Sequence, residues 1–259
     1  MKEGNHLAGK RFSEKHRLVY YDGDRTYHAS IPMLVNLMVL ASEDQSEELG
    51  VGTEEVSKYG VGWVVTQYLM TINDLPKIGS TIELSTEATA HNKFFCERRF
   101  SIADEAGNSL LEANSNFVLM NHKTRRMGKL IPELLDPYGS DEVKRITRLP
   151  RVPKITDDQG TVSKEYPVRY FDLDTNGHVN NSHYFEWLLD VLPAEFLQTH
   201  IPTRLNIQYH KEIQYGHIVK SEVVKTNETD TEINTLHKMT VNGEIYCEAE
   251  CSWKTVTAN

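Results

Sequence analysis

Hydrophobic and polar positions divide this chain into two halves with the same order of predicted elements. In the first half, apolar residues at helical spacing begin after Ser30 and Pro32, a pair suited to the start of a helix, and stop at Gly50. Apolar and polar residues then alternate, which is the period of a half-buried strand. We predict these strands at residues 61–72, 80–90, 93–103 and 109–121.

The second half follows the same plan, with a strand that begins at Ser163 and a helix that begins near Asn181. Further strands are predicted at residues 203–214, 217–227, 232–241 and 244–255. Gly107-Asn108 and Asn242-Gly243 separate paired strands, and such residues suit tight hairpin turns. Each half is therefore predicted to be α+β, with an antiparallel sheet wrapped around one central helix.

Matching segments indicate that the two halves are copies of each other. DGDRTYH at residues 22–28 is similar to DLDTNGH at residues 172–178, and each precedes a predicted helix. Gln67-Tyr68 and Gln208-Tyr209 occupy equivalent places in the strand that follows the helix. We infer an internal repeat of about a hundred residues and call the copies the first and second repeats.

A cluster of polar residues leads into the second predicted helix, whose residues 184–192 are apolar on nearly every side. Such a helix is expected to be buried. Asn180 or Asn181 suits the N-cap, so the free N–H groups of the first turn would point into the polar cluster. Those groups and the helix dipole favour a bound anion or a developing oxyanion. This combination is typical of acyl-group hydrolysis.

Three other interpretations fit parts of the polar cluster. DLDTNG matches the opening of a calcium-binding loop, but counting from Asp172 places His183 where a Glu should close the site. Zinc is disfavoured because His178 and His183 fall on different faces of a helix and no HExxH motif occurs. The Asp and Asn residues could be simple turn formers, which leaves His178 at the start of the helix unexplained.

The segment DLDTNGHVNN at residues 172–181, followed by Tyr184 and Trp187, resembles the signature of acyl-[acyl-carrier-protein] thioesterases. LNIQYHKEIQYG at residues 205–216 resembles a second block of that family. The resemblance covers most of the chain and implies two tandem hot-dog domains. Plant members often have Cys after the Glu of the second block, whereas this chain has Ile213.

Carried over residue by residue, the resemblance assigns function to Asp174, Asn176, His178 and Glu212. It implies hydrolysis of fatty acyl thioesters on acyl carrier protein to free fatty acid and holo carrier, in fatty acid biosynthesis. Asn176 and His178 would bind the thioester or the attacking water. Glu212 is the first candidate for the base or nucleophile and Asp174 the second. No metal and no organic cofactor is implied.

The backbone N–H groups of Val179 and Asn180, at the helix terminus, are expected to hold the oxyanion. Glu212 poses a difficulty, because it falls on the face of its strand opposite to Leu205 and Ile207. We expect a bulge or a strand end near His210 to resolve it.

The repeats differ at two of these positions, because Thr26 stands where the second repeat has Asn176, and Thr71 where it has Glu212. We therefore expect the first repeat to line the acyl pocket without catalysis. Residues 132–160 contain four Pro and no periodicity, which is typical of a linker. We predict an N-terminal domain at 1–135, a linker at 136–160 and a catalytic domain at 161–259.

The net charge of −9 argues against a nucleic-acid-binding protein. Within residues 123–154, however, nine basic residues outnumber four acidic ones. Such a run is usually a solvated face, but an acidic carrier protein would prefer it to the rest of the surface.

The three cysteines, Cys96, Cys247 and Cys251, form no CxxC pair, and we expect them to be core residues in a reducing compartment. No apolar run approaches the roughly 20 residues of a membrane span. MKEGNHLAGKRF has no apolar signal segment. A cytoplasmic protein is therefore expected, and a homodimer is left open.

Rival functions follow from the same residues. An acyl-CoA thioesterase is the nearest alternative, a hot-dog dehydratase is more remote, and a non-catalytic acyl-binding or regulatory module belongs to a different class. A Ser-His-Asp hydrolase is disfavoured because no G-x-S-x-G motif occurs. Turnover of carrier-bound and CoA-bound substrates would separate these alternatives.

Overall fold

The structure is a computed structural model that describes residues 9–156, 159–229 and 233–256. Its contacts divide the chain into two compact units. Unit 1 contains Met1–Arg17, Leu37–Tyr68 and Thr81–Leu149, and unit 2 contains Leu18–Asn36, Leu69–Ser80 and Pro150–Asn259. Unit 2 therefore includes two segments from the first half of the chain.

The helices of the described residues are α1 (Ile31–Glu48), α2 (Thr53–Lys58), α3 (Pro132–Leu135), α4 (Asn181–Asp190) and α5 (Ala194–Thr199). The strands are β1 (Arg11–Arg17), β2 (Val61–Ile72), β3 (Thr81–His91), β4 (Cys96–Asp104), β5 (Ser109–Asn121), β6 (Asp141–Glu142), β7 (Val162–Pro167), β8 (His200–Tyr209), β9 (Ile218–Glu228), β10 (Ile233–Val241) and β11 (Glu244–Thr255). None of these helices is both long enough and apolar enough to cross a membrane.

The sheet of unit 1 has the strand order β1-β3-β4-β5-β2, and the short strand β6 runs parallel to β3. The turn between β4 and β5 places Gly107 at a φ of 84°, as the predicted hairpin requires. α1 is tied to its own sheet through Gln45, whose amide oxygen accepts a hydrogen bond from buried Arg98 of β4 at 2.6 Å. Unit 1 is thus an antiparallel sheet joined to a helix.

The sheet of unit 2 has the strand order β8-β11-β10-β9-β7, and all of these pairs are antiparallel. Listed from its other edge, this order is β7-β9-β10-β11-β8. It matches the order β1-β3-β4-β5-β2 of unit 1 when each strand is replaced by its counterpart in the other repeat. α4 packs against β9 and β10. Asn242 and Gly243 both have positive φ, which confirms the predicted turn between β10 and β11. The shared strand order confirms the internal repeat.

Most of the predicted elements are present, with boundaries within a few residues. Ser30 caps α1, because its hydroxyl accepts the N–H of Met33 at 3.3 Å. Three helices, α2, α3 and α5, were not predicted, and each is six residues or shorter. The strand β1 was not predicted either, and residues 1–8 lie outside the described residues. Short elements carry too little periodicity to be detected.

Burial agrees with the predicted cores at most of the apolar positions of α4 and at the cysteines. α4 buries Tyr184, Phe185, Trp187 and Leu188, and all three cysteines are buried and free of disulfides. Ile245 of β11 is apolar but 36% exposed. The pairing of β10 with β11 shifts register between Met239 and Thr240, so the alternation of faces breaks before it reaches Ile245.

Part of the predicted linker packs with unit 1. Tyr138 is buried in the apolar core of that unit, and its hydroxyl lies 2.7 Å from that of Ser46. Residues Asp141–Glu142 form β6 on its sheet. The domain boundaries at 135 and 161 stay a prediction.

Candidate active site

The loop that precedes α4 is built around the carboxylate of Asp174. Its Oδ1 accepts the backbone N–H groups of Asn176 at 2.8 Å and of His178 at 3.2 Å. Gly177 closes the turn with a φ of 77°, which glycine adopts without steric strain. Asp174 therefore fixes the shape of the loop and the directions of its neighbouring side chains.

The structure brings His178 and Glu212 together, as the sequence led us to expect. Nε2 of His178 lies 3.5 Å from Oε2 of Glu212, and their side chains are 17% and 28% exposed. A backbone bridge between His178 and Gln214 joins the two segments. Water can reach both groups, while their partial burial makes the interaction stronger than that of a fully exposed pair.

Glu212 reaches this position because β8 ends early. The strand stops at Tyr209, and the N–H groups of His210 and Lys211 both point to the carbonyl of Tyr246, at 2.9 and 3.3 Å. The chain then leaves the sheet, so Glu212 no longer follows the alternation of β8. The expected strand end near His210 is confirmed.

Tyr184 supports the segment that carries Glu212. Its hydroxyl accepts the N–H of Ile213 at 3.0 Å and lies 3.5 Å from the carbonyl of Lys211. The ring is buried and packs edge-on against Tyr209 at 5.1 Å. Tyr184 thus bonds to the residue after Glu212 and lies beside the residue before it.

Asn176 is exposed at the tip of the loop. Its side-chain amide makes no hydrogen bond within the part of the chain that the structure describes. Both amide N–H groups and the amide oxygen are therefore available to a substrate or to water.

The predicted oxyanion donors are wrong. The N–H of Val179 donates to the carbonyl of Ile213 at 3.0 Å, and that of Asn180 donates to the carbonyl of Asp172 at 2.9 Å. Each N–H carries a single proton, so neither is available to an oxyanion. Asn180 is the N-cap residue of α4, as predicted, but its side chain does not cap the helix. It points instead to Oδ1 of Asn36, 3.4 Å away.

Two ion pairs that the sequence analysis missed flank the loop. Buried Asp172 accepts hydrogen bonds from Nε and Nη2 of Arg169 at 3.0 and 2.7 Å. Burial acts to raise the pKa of Asp172, but the bonds from Arg169 outweigh it and lower that pKa. His183 lies 2.8 Å from Glu186, and this hydrogen bond raises its pKa. The three-residue spacing of each pair was the signal in the sequence.

The described residues contain no cluster of His, Cys, Asp and Glu that could hold a metal ion. The calcium interpretation has a specific difficulty as well. Oδ1 of Asp174, which would be the second carboxylate ligand of such a loop, accepts two backbone N–H groups. A calcium ligand would have to turn this oxygen towards the ion.

The first repeat contains the same loop, held by equivalent bonds. Oδ1 of Asp24 accepts the N–H of Thr26 at 2.8 Å, as Asp174 does for Asn176. The N–H of Ala29 donates to the carbonyl of Pro76 at 2.9 Å, as Val179 does to Ile213. Tyr27, with a φ of 65°, replaces Gly177.

These bonds correct one predicted equivalence. Because Pro76 matches Ile213, the counterpart of Glu212 is Leu75 and not Thr71. The bridge between His28 and Lys77, which matches that between His178 and Gln214, gives the same alignment. The first repeat therefore has an aliphatic side chain where the second has a carboxylate.

Comparisons with known proteins place both halves of the chain in one family. Residues 9–138 match the family model of the acyl-ACP thioesterase N-terminal domain, and residues 155–255 match that of the C-terminal domain. The chain is 32% identical over 209 residues to an acyl-[acyl-carrier-protein] hydrolase, chloroplastic, from Cuphea viscosissima. This alignment covers 76% of the chain and 50% of the relative, so the chain spans about half the length of that protein.

Two solved structures are similar over nearly the whole chain. A protein from Lactobacillus plantarum, provisionally assigned as an oleoyl thioesterase, is 42% identical with a TM-score of 0.93, covering 97% of this chain and 99% of that one. The 12:0-ACP thioesterase of Umbellularia californica is 22% identical with a TM-score of 0.85, covering 95% and 94%. The fold of two hot-dog domains is confirmed by these likenesses. The N-terminal and C-terminal domain models match the chain in that order, so the chain belongs to the acyl-ACP thioesterase family.

Proposed function

We propose that this chain hydrolyses fatty acyl thioesters of acyl carrier protein, releasing free fatty acid and holo carrier. The observation that carries the proposal is the pair of His178 and Glu212, which are 3.5 Å apart and open to water. The exposed amide of Asn176 is on the same loop as His178. Membership of the family and the name of the Cuphea relative support the substrate class.

Glu212 is the proposed general base. It removes a proton from a water molecule as the water oxygen attacks the thioester carbon. The carbon–sulfur bond of the tetrahedral intermediate then breaks, and the proton is returned to the departing thiolate of the carrier. The products are a carboxylic acid and a thiol, so the reaction needs no atoms beyond those of water and thioester.

His178 is proposed to orient Glu212 and the water, because its Nε2 faces the carboxylate. The side-chain N–H groups of Asn176 are the proposed donors to the thioester oxygen, on which negative charge develops. Asp174 is proposed to hold the loop, since its Oδ1 is occupied by two backbone donors. This assignment makes Glu212 a better candidate than Asp174 for the base.

The proposed carrier partner is acidic, and one segment of the chain suits it. We name the nine basic residues of 123–154 the basic stretch, and all of them are exposed: Lys123, Arg125, Arg126, Lys129, Lys144, Arg145, Arg148, Arg151 and Lys154. Complementary charge of this kind accelerates encounter and orients partners more than it adds affinity.

The test is release of free thiol from matched substrates, the same acyl chain carried either by acyl carrier protein or by CoA. We expect a higher kcat/KM for the carrier-bound form. A preference for CoA would make this chain an acyl-CoA thioesterase. Absence of turnover of both, in a folded protein that still binds acyl chains, would favour a non-catalytic acyl-binding module. The homodimer stays a prediction that light scattering can test. The cytoplasmic location stays a prediction that cell fractionation can test.

A further inference from the structure

A cavity of about 560 Å³ lies within unit 2, and Asp174, Asn176, His178 and Glu212 are absent from its lining. Its size is ordinary for a small-molecule site. Much of the wall is apolar and comes from α4, α5 and the adjoining strands: Trp187, Leu189, Leu197, Ile201, Pro202 and Trp253. The residues proposed for hydrolysis therefore do not account for this cavity.

The cavity opens onto the loop of the first repeat. Asp24, Thr26 and Leu75 all line it, and they are the counterparts of Asp174, Asn176 and Glu212. For hydrolysis, a substrate would have to contact the second loop at Asp174, Asn176 and Glu212. The cavity therefore has the same position relative to the first loop as that substrate would have relative to the second. Duplication thus accounts for both the site proposed for catalysis and this second space.

The first loop keeps the shape of the site but lacks its reactive groups. Leu75 can neither accept a proton nor attack a carbonyl. The hydroxyl of Thr26 donates to Oδ1 of its own neighbour Asp24 at 2.6 Å, so it is committed within the loop. A thioester bound here would meet neither a counterpart of the Glu212 carboxylate nor an amide donor of the kind that Asn176 provides.

The charges around the cavity favour a neutral ligand. Asp24, Glu186 and Asp190 contribute carboxylates to its lining. Glu186 lies 2.8 Å from His183, Asp190 lies 3.3 Å from Lys164, and Arg169 is held by Asp172, so these basic groups already have acidic partners. His200 also lines it, and its Nδ1 lies 3.0 Å from both the carbonyl of Phe196 and the hydroxyl of Thr199. A free fatty acid would bring another negative charge to this rim. An acyl chain still joined to pantetheine would not.

We propose that this cavity is a second acyl site, which binds the alkyl chain and neutral head of an acyl-pantetheine without hydrolysing it. The inference rests on the proposed function, because the ligand is of the same class as the proposed substrate. The inference differs from the proposed function because it predicts that the protein binds a second equivalent of ligand, away from Glu212.

The tryptophans make the proposal testable. Two of the three, Trp187 and Trp253, line the cavity, so Trp63→Phe leaves a protein whose remaining tryptophan fluorescence reports on it. The probe is an S-alkyl pantetheine, a thioether that cannot be hydrolysed, with bromine on its chain to quench nearby tryptophan. We expect strong quenching and, by calorimetry, a second bound equivalent. The brominated free fatty acid should quench less.

Leu197→Phe narrows the cavity and should remove both the quenching and the second equivalent, while hydrolysis of acyl carrier substrates is retained. Leu75→Phe, at another residue of the lining, is a second variant in case the first does not fold. Leu40→Phe is the control, since Leu40 is exposed on α1 and is not part of the lining.

Binding of a single equivalent without quenching would overturn the second site. Loss of all binding and all hydrolysis in a folded Leu197→Phe protein would also overturn it, because the cavity would then be the acyl pocket of the site at Glu212. If the wild-type protein hydrolyses nothing but still binds and quenches as expected, the proposed function fails and the second site survives.

Discussion

The hydroxyl of Tyr184 accepts a hydrogen bond from the backbone N–H of Ile213 at 3.0 Å. Ile213 directly follows Glu212, and the residue before it, Lys211, has its carbonyl 3.5 Å from the same hydroxyl. A residue inside the buried helix α4 thus holds the segment whose carboxylate faces His178. This contact lets the core of unit 2 determine the geometry of the candidate site.

Tyr184→Phe should therefore lower kcat about 10-fold with little change in KM, because the proposed base would be less well positioned. The lost hydrogen bond should also lower the free energy of unfolding by about 1 kcal/mol. Tyr138→Phe is the matched control, since Tyr138 is equally buried and its hydroxyl bonds to Ser46 in unit 1. An equal loss of kcat in both variants would mean that the effect is a general loss of packing.

Glu212→Gln keeps the shape of the side chain but removes the proton acceptor, so kcat should fall by roughly 10²–10⁴. A variant with all three cysteines changed to Ala should stay active with some loss of stability. Burial raises the pKa of Cys96 to about 11 and the pKa of Cys247 above its usual value, which disfavours reactive thiolates.

Glu244→Gln is the control for the carboxylate, because Glu244 pairs with exposed Lys211 at the surface. An active Glu212→Gln protein, together with a folded but inactive cysteine variant, would reverse the assignment and point to a thiolate nucleophile.

Asn176→Ala should reduce kcat by about 10²–10³, the usual effect of removing one donor to a developing oxyanion. Folding should be unaffected, since the side chain is exposed and makes no hydrogen bond among the described residues. Asn114→Ala, at an exposed position of β5, controls for the loss of an amide. Normal turnover in a well-folded Asn176→Ala protein would exclude Asn176 from the proposed mechanism.

Replacing Arg125 and Arg126 of the basic stretch with Glu should raise KM for carrier-bound substrate and hardly change turnover of a short soluble thioester. The increase in KM should be larger at low salt, because salt screens interactions between exposed charges. The matched control replaces Lys15 and Arg17 with Glu, because both are exposed on β1, outside the basic stretch. An equal effect on both substrates would indicate a damaged fold or acyl pocket.

We predict that buried His237 makes the folded protein less stable in acid. Burial lowers its pKa from 6.5 to about 3. Between these values the unfolded chain binds a proton that the folded chain does not, so the free energy of unfolding falls as the pH falls through this range. The slope from this group approaches about 1.4 kcal/mol per pH unit.

Denaturant titrations of wild-type protein and of His237→Gln, at several pH values from 7 down to 4, measure this slope. The variant should lose stability less steeply in acid, and His122→Gln, at an exposed position, controls for the loss of one histidine. Identical slopes in wild-type and His237→Gln protein would contradict the prediction.

The sequence by itself determined the repeated order of elements, most strand boundaries and the polar loop before α4. These features are local. Alternation of apolar and polar residues indicates a strand that buries one face, and Asn242-Gly243 indicates a turn that needs positive φ. The candidate residues were carried over from a family resemblance, and their side-chain chemistry needed no coordinates to be named.

Only the tertiary structure decided which of those groups meet and which are already bonded. Glu212 faces His178 because β8 ends at Tyr209, and the parity of the sequence had placed it on the other face. The N–H groups of Val179 and Asn180 bond to carbonyls of Ile213 and Asp172, a pairing that no local pattern encodes. The same bonds aligned Leu75 with Glu212, because equivalence in a repeat follows backbone contacts made between segments far apart in the chain.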